Sequence, residues 1–231
     1  PWKDKTLPSN YAFIQSLIGD NPYAEEGARQ KIEGIENKTL RERLLYGNWD
    51  YEDEPDQLIH YEWIEDCKTV DHSKGPRAMG VDVARFGDDC TAFAIWDGNA
   101  LMLLKPYQGN PIDQTADIAE RYMEEYSINA DRVNVDSVGL GAGVVDILHR
   151  RELYVKEFIA GGKPYKKYPY CKKYEFDNLR SQMWWYGREC IRKGEVIIDP
   201  SVFDNVNDYD RLVEDLTSVK YTIERERVVR V

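Results

Sequence analysis

Two strand-like segments, each with an aspartate at the end of an apolar stretch and glycine shortly after, constrain the fold of this chain most. The first is GVDVARFGDDCTAFAIWDG, residues 80–98, and the second is VNVDSVGLGAGVVDIL, residues 133–148. Because side chains alternate along a strand, Asp82 and Asp136 each point away from the valines that flank them. Two carboxylates at neighbouring strand ends offer oxygen ligands suited to Mg²⁺ or Mn²⁺. The pair therefore predicts a hard-cation site of the kind that metal-dependent phosphoryl-transfer enzymes use.

From about residue 76 onward, strand and helix patterns follow one another in an order that indicates an α/β sheet. The turn Asp97-Gly98-Asn99 between the second and third strands is a strong hairpin signal. A right-handed crossover after the third strand would place the fourth strand beside the first and parallel to it, which would make Asp82 and Asp136 neighbours. The patterns predict strands at 78–84, 90–96, 100–107, 132–136, 155–160 and 195–199, helices at 113–126, 141–151, 177–193 and 204–217, and a final hairpin in 218–231.

Residues 1–54 differ from the rest of the chain. Their pattern is one of short helices interrupted near Pro22, without a strand and with too few apolar residues for a core of their own. We predict that they form a small helical linker or the tail of a preceding domain. The acidic run at 51–56 marks the boundary, so residues 55–231 form the main domain.

The charge of the chain opposes broad nucleic-acid binding but permits a local patch. The formal net charge is −11, whereas the segment GGKPYKKYPYCKKY, residues 161–174, interleaves five lysines with four tyrosines. Lysines contact phosphates and tyrosines stack or pack on sugars. The alternative is a solvated loop whose lysine stems cover surface aromatics. We predict DNA contacts from this segment and the helix after it, through Lys163, Lys166, Lys167, Lys172, Lys173 and Arg180.

Several other signals are negative or structural. GLGAG, residues 139–143, opens a helix but lacks the Lys-Ser/Thr of a phosphate-binding loop, so we expect it to let the backbone pass close to Asp136 and not to bind ATP. No apolar run has the length of a membrane span, and the cysteines and histidines lack zinc-ligand spacing. The pair Trp184-Trp185 is predicted to belong to the core.

Taken in order, these motifs resemble the nuclease domain of the large terminase subunit of tailed bacteriophages. The resemblance extends to FDNLRSQMWW at 176–185 and LVEDLTSVKY at 212–221, and ERLLYGNWDY at 42–51 is similar to the passage from the ATPase domain to the nuclease. It covers nearly the whole chain. It implies a ribonuclease H-like fold, with a mixed five-stranded sheet flanked by helices.

The resemblance also assigns expected roles to acidic residues. It implies that Asp82 and Asp136 are the first two metal-binding aspartates and that Asp88 is an auxiliary acid, although Asp88 and Asp89 also fit an ordinary turn. The family's third aspartate follows the last hairpin in a segment resembling SPDxADAL, and this sequence reaches Val231 before any such segment. We therefore expect the third ligand, and the C-terminal end of the domain 55–231, to lie outside this sequence. The remaining nearby acids are expected to be solvated: Asp199, Asp204, Asp208, Asp210 and Asp215.

For function, the resemblance implies a metal-dependent endonuclease that cuts double-stranded viral DNA during genome packaging, with Mg²⁺ or Mn²⁺ in a two-metal site. The implied partners are an ATPase domain in the same chain, the small terminase subunit and the portal. The resemblance implies a location in the host cytoplasm and transiently at the procapsid portal, with no membrane association. Two alternatives are a non-catalytic docking domain for DNA or portal, and a lobe of an actin-like or sugar-kinase-like ATPase. Metal binding tests the first alternative, and nucleotide binding tests the second.

Overall fold

The computed structural model describes residues 56–69, 72, 74–84, 89–166, 173–224 and 228–231, together with Gly27, Lys31, Ile32, Arg41 and Leu44. The predicted linker at 1–54 therefore falls almost wholly outside the described residues, and the domain boundary after it stays a prediction. The described part begins with a short segment that contains helix α1, Tyr61–Asp66, and a 3₁₀ turn, Cys67–Thr69.

A five-stranded mixed sheet forms the centre of the fold. Its order is β3-β2-β1-β4-β5; the first three strands pair antiparallel, and β1, β4 and β5 run parallel. The predicted five-stranded sheet is confirmed, including the position of the fourth strand beside the first. The strands are β1 Arg77–Asp82, β2 Cys90–Asp97, β3 Ala100–Gln108, β4 Val133–Asp136 and β5 Lys156–Phe158.

The predicted hairpin joins β2 to β3. Asp97 pairs with Ala100, which leaves Gly98 and Asn99 as a two-residue turn. Gly98 has φ +60°, a left-handed conformation that glycine adopts without the steric cost of a Cβ. The turn therefore sets the pairing of the residues next to it, and a bulge between Ile95 and Trp96 shifts the register of the remaining pairs by one residue.

Two crossover helices cover one face of the sheet. Helix α2, Ile112–Glu125, connects β3 to β4, and helix α3, Gly141–Arg150, connects β4 to β5. Both contribute buried residues to the same apolar cluster as Val81, Val133 and Val135. Because these valines face α2 and α3, the alternate positions on β1 and β4 face the other side of the sheet, as the alternation predicted.

The opposite face packs against helices α4, Leu179–Arg192, and α5, Val206–Ser218. This second apolar cluster contains Leu101 of β3, Trp185 of α4 and Val213 of α5, and it also takes in Leu58 and Ile64 from the beginning of the described segment. Trp185 is buried, and Trp184 packs beside it. The prediction that the tryptophan pair belongs to the core is confirmed.

The C-terminal part differs from expectation in two places. The predicted strand at 195–199 is wrong: Ile197 alone forms a bridge, with Ala100, and the neighbouring Ile198 is instead buried in the second cluster. The final hairpin is confirmed as β7 Thr222–Glu224 and β8 Val228–Arg230, but it also binds an unpredicted strand, β6 Glu175–Phe176, in the order β6-β8-β7. None of the helices among the described residues combines the length and the apolar character needed to cross a membrane.

Candidate active site

The two aspartates singled out in the sequence end neighbouring strands at the same edge of the sheet. Val81 of β1 and Val135 of β4 are paired in a parallel register, so Asp82 and Asp136 are the next residues in line. Adjacent strands are about 4.8 Å apart. The structure thus brings the two carboxylates together, as the predicted crossover required.

A buried threonine holds the backbone just beyond Asp82. Thr91 on β2 is fully buried, and its Oγ1 donates to the carbonyl of Ala84 at 2.7 Å and accepts from the Ala84 N–H at 3.1 Å. These two bonds tie the end of β1 to β2 after the regular ladder stops. The position of Asp82 therefore depends on a neighbour that the sequence did not single out.

Local hydrogen bonds and a close backbone contact hold Asp136. The Val138 N–H donates to Asp136 Oδ1 at 3.0 Å, and the Ser137 N–H donates to the Phe158 carbonyl at 3.0 Å. Helix α3 begins immediately above, where a Cβ on Gly141 would lie 1.6 Å from the Asp136 carbonyl oxygen. The prediction that GLGAG lets the backbone pass close to Asp136 is confirmed, because no side chain fits at Gly141.

The two carboxylates interact electrostatically. The pKa of Asp82 is raised, first because its surroundings partly desolvate the carboxylate and second because the charge of Asp136 is close; Asp89 adds to the shift, and a backbone hydrogen bond at Val83 opposes it. Asp82 keeps access to solvent, since the atoms around it line an open cleft. A cation placed between two repelling carboxylates would relieve both effects.

The cleft beside Asp82 has a volume of about 680 Å³ and a second charged wall. On the sheet side it is lined by Asp82, Asp89 and small or apolar residues of β2 and β3. Across from them, helix α5 contributes Asp208, Arg211 and Asp215. The sequence pattern predicted Asp208 and Asp215 to be solvated acids and did not place them beside the cleft. Their spacing with Arg211, i, i+3 and i+7, was the available signal, because it places all three on one helix face.

The other acids of this region lie elsewhere. Asp199 accepts a hydrogen bond from the Ser201 N–H and begins a 3₁₀ turn, Pro200–Val202. Asp204 forms an ion pair with Lys105 of β3. Burial raises the pKa of Asp210. None of these three lines the cleft, so the five nearby acids divide into two that face the site and three that do not.

The donor set at the strand ends fits a hard divalent cation. Mg²⁺ is commonly bound through one or two carboxylates and retains several waters, which matches a solvent-accessible pair. Within the described ranges, no group of three or more His, Cys, Asp or Glu side chains is arranged to hold a metal ion. Asp88, the expected auxiliary acid, lies outside the described residues.

The lysine segment leaves the sheet at the same edge as the two aspartates. Phe158, the last residue of β5, pairs with Asp136, and the chain continues from there into the segment. Lys163 and Lys166 are exposed, and so are Lys173 and Arg180, whereas Lys167 and Lys172 lie outside the described residues. The described part of the predicted basic surface is therefore accessible and begins one strand away from Asp136.

This segment is tied to helix α4 over its first half. The side chain of Gln182 is buried; its Oε1 accepts from the Tyr165 N–H at 2.7 Å and its Nε2 donates to the Tyr165 carbonyl at 3.0 Å. The Arg180 N–H donates to the carbonyl of Ala160 at 2.9 Å. These bonds hold Arg180 beside the beginning of the lysine segment.

Comparison with known proteins identifies the fold. No protein-family model and no curated protein sequence matches the chain. Among solved structures, the nuclease domain of the large terminase subunit gp2 of bacterial virus Sf6 superposes with a TM-score of 0.60 at 18% identity, covering 75% of this chain and 86% of that domain. The same domain solved as a mutant with manganese and beta-thujaplicinol gives 0.59, again at 18% identity and the same coverage. This chain therefore has the ribonuclease H-like fold of a phage large terminase nuclease domain.

Proposed function

We propose that this chain is the nuclease part of a phage large terminase subunit, a metal-dependent endonuclease that cuts double-stranded viral DNA during packaging. The observation that supports it best is the meeting of Asp82 and Asp136 at adjacent, parallel strand ends beside an open cleft. The chain shares its fold with the Sf6 nuclease domain, which was solved with manganese and with calcium. This likeness supports a metal-binding role for the two aspartates. In this proposal an ATPase domain, the small terminase subunit and the portal are the partners.

Asp82 and Asp136 would hold the cation, Mg²⁺ or Mn²⁺. When bound, such an ion polarises the phosphodiester and lowers the pKa of a bound water. The chain's own contribution is to keep the two carboxylates at a fixed separation. Thr91 holds the backbone after Asp82, and Gly141 allows helix α3 to pack against the Asp136 carbonyl. A second metal would need a further anionic ligand.

The test of this proposal is plasmid cleavage by the purified protein in Mg²⁺, Mn²⁺ or EDTA. We expect nicking and linearisation with either metal and none in EDTA. Cleavage that persists in EDTA would contradict the metal requirement. A folded protein that neither binds metal, as measured by calorimetry, nor cleaves DNA would instead favour the non-catalytic docking domain.

The lysine segment gives a separate prediction about DNA binding. Replacing Lys163, Lys166, Lys167, Lys172 and Lys173 by Gln should weaken DNA binding without changing metal affinity. The whole chain is acidic, so DNA affinity should depend strongly on this local cluster. Each phosphate contact that is lost should flatten the dependence of log affinity on log salt concentration by about one unit. Fluorescence anisotropy at several salt concentrations measures this slope.

Lys156 supplies the matched control for that experiment. It is exposed and begins β5, so it lies at the opposite end of the strand from the lysine segment. Lys156→Gln should leave the salt dependence unchanged. Equal slopes for the parent chain and the fivefold variant would mean that DNA binds at another surface.

A further inference from the structure

Helix α5 presents one arginine to the candidate active-site cleft. Asp208, Arg211 and Asp215 occupy a single face of the helix and line the cleft opposite Asp82. The other face of α5 is anchored, because Tyr209 and Val213 are buried in the second apolar cluster. The charged face therefore has a defined direction, toward the sheet edge that bears the strand-end aspartates.

Arg211 differs from those described arginines that pair with a carboxylate. It is exposed to the cleft, and in the described part of the chain its guanidinium makes neither an ion pair nor a side-chain hydrogen bond. Asp208 and Asp215 are three and four residues away on the same helix face, within reach of an intrahelical pair. The arginines that do pair with a carboxylate in this structure include Arg77, Arg151, Arg188, Arg192 and Arg230.

The charges of the cleft indicate which kind of ligand the Arg211 guanidinium is suited to bind. Among the residues that the structure describes, the lining has four carboxylates, those of Asp82, Asp89, Asp208 and Asp215, and one cation, Arg211. This surface repels a phosphate unless cations offset the carboxylates. A guanidinium presents paired N–H donors that match two oxygens of a phosphate, and it stays protonated at any working pH. Arg211 is thus the group of the lining equipped to hold a phosphodiester that enters the cleft.

We infer that Arg211 contacts a phosphate of the DNA strand that lies in the cleft and holds it against Asp82 and Asp136. This inference rests on the proposed nuclease function and adds to it a substrate-contacting residue on α5. Nothing in the strand-end motifs implies it. It gives helix α5, which lines the cleft together with Asp82, a role in binding the substrate.

The test compares Arg211→Ala and Arg211→Lys with the parent protein in steady-state cleavage of linear double-stranded DNA. Removing a donor that stabilises charge at the reacting phosphate typically lowers the rate by about 10²-fold, so we expect a loss of that order for Arg211→Ala in kcat/KM. Arg211→Lys should recover part of the loss, since lysine keeps the charge but not the paired donors. In addition, the slope of log kcat/KM against log salt concentration should flatten by about one unit in Arg211→Ala.

Arg150→Ala is the matched control, because Arg150 is exposed in the last turn of α3, at the far end of the helix from Gly141. It should match the parent in rate and salt slope. Thermal unfolding checks that Arg211→Ala is folded. The inference would be overturned if a folded Arg211→Ala variant cleaved DNA at the parent's rate. It would also be overturned if that variant were slower but kept the parent's salt slope and Arg211→Lys recovered none of the rate. A parent protein that does not cleave DNA at all would refute the nuclease function itself, which separates the two failures.

Discussion

Asp82→Asn and Asp136→Asn should each abolish DNA cleavage while the protein stays folded. Each substitution keeps the size and shape of the side chain but removes one anionic ligand, which weakens cation binding and misplaces the reacting groups. The expected loss is at least about 10³-fold in rate, the upper range for removing one group that stabilises the transition state. Plasmid cleavage in Mg²⁺ and Mn²⁺ measures it, and near-normal cutting by either folded variant would contradict the assignment.

The same two variants should be more stable than the parent chain in EDTA. The pKa of Asp82 is raised in the folded state by partial desolvation and by the charge of Asp136. The folded form therefore binds this proton more tightly than the unfolded chain does. Stability is lost as pH rises from the ordinary aspartate pKa through the raised value, and the loss is complete above it. At neutral pH, removing either charge should thus raise the unfolding midpoint.

Asp146→Asn is the control for both readouts. Asp146 is exposed on helix α3 and should change neither cleavage nor unfolding. For Asp82→Asn the gain in stability should also shrink at acid pH, below the ordinary aspartate pKa, where the Asp82 carboxyl is protonated in either state. A drop in stability for Asp82→Asn and Asp136→Asn at neutral pH would indicate that the aspartates serve the fold instead of a cation site.

Gly141→Ala should cause the largest loss of stability among conservative substitutions near the site. The new Cβ would lie 1.6 Å from the Asp136 carbonyl oxygen, so helix α3 or the end of β4 must move. Overpacking of this kind costs typically 1–3 kcal/mol, and contact with backbone leaves little room to relax, so we expect a loss of about 3 kcal/mol. Chemical denaturation measures it. Cleavage should fall as well, because the displaced backbone carries Asp136.

Gly187→Ala provides the matched control within another helix. Gly187 lies in α4, and a Cβ there would meet nothing within 4 Å. Alanine is favoured over glycine in a helix by about 1 kcal/mol, so this variant should be equally stable or more stable than the parent. Similar stability for Gly141→Ala and Gly187→Ala would show that helix α3 can shift freely over Asp136.

The sequence alone determined the central sheet of this fold and the position of Asp82 and Asp136 at its strand ends. Alternation along the two strands placed the valines in one core and the aspartates on the opposite face, and the Asp97-Gly98-Asn99 turn closed the β2–β3 hairpin. The parallel pairing of β1 with β4 followed from the handedness of a single crossover. These features are encoded locally or follow from a strong topological rule, so they can be predicted from the sequence without knowledge of distant contacts.

Only the tertiary structure decided what surrounds the two aspartates. Thr91 has no local pattern that marks it as the partner of the Ala84 backbone, and Arg211 and Asp215 became part of the cleft because α5 packs across the other face of the sheet. The single bridge at Ile197, in place of a strand, reflects the same cause. Such features depend on contacts between residues far apart in the chain, where burial and pairing are set by packing and not by the local sequence.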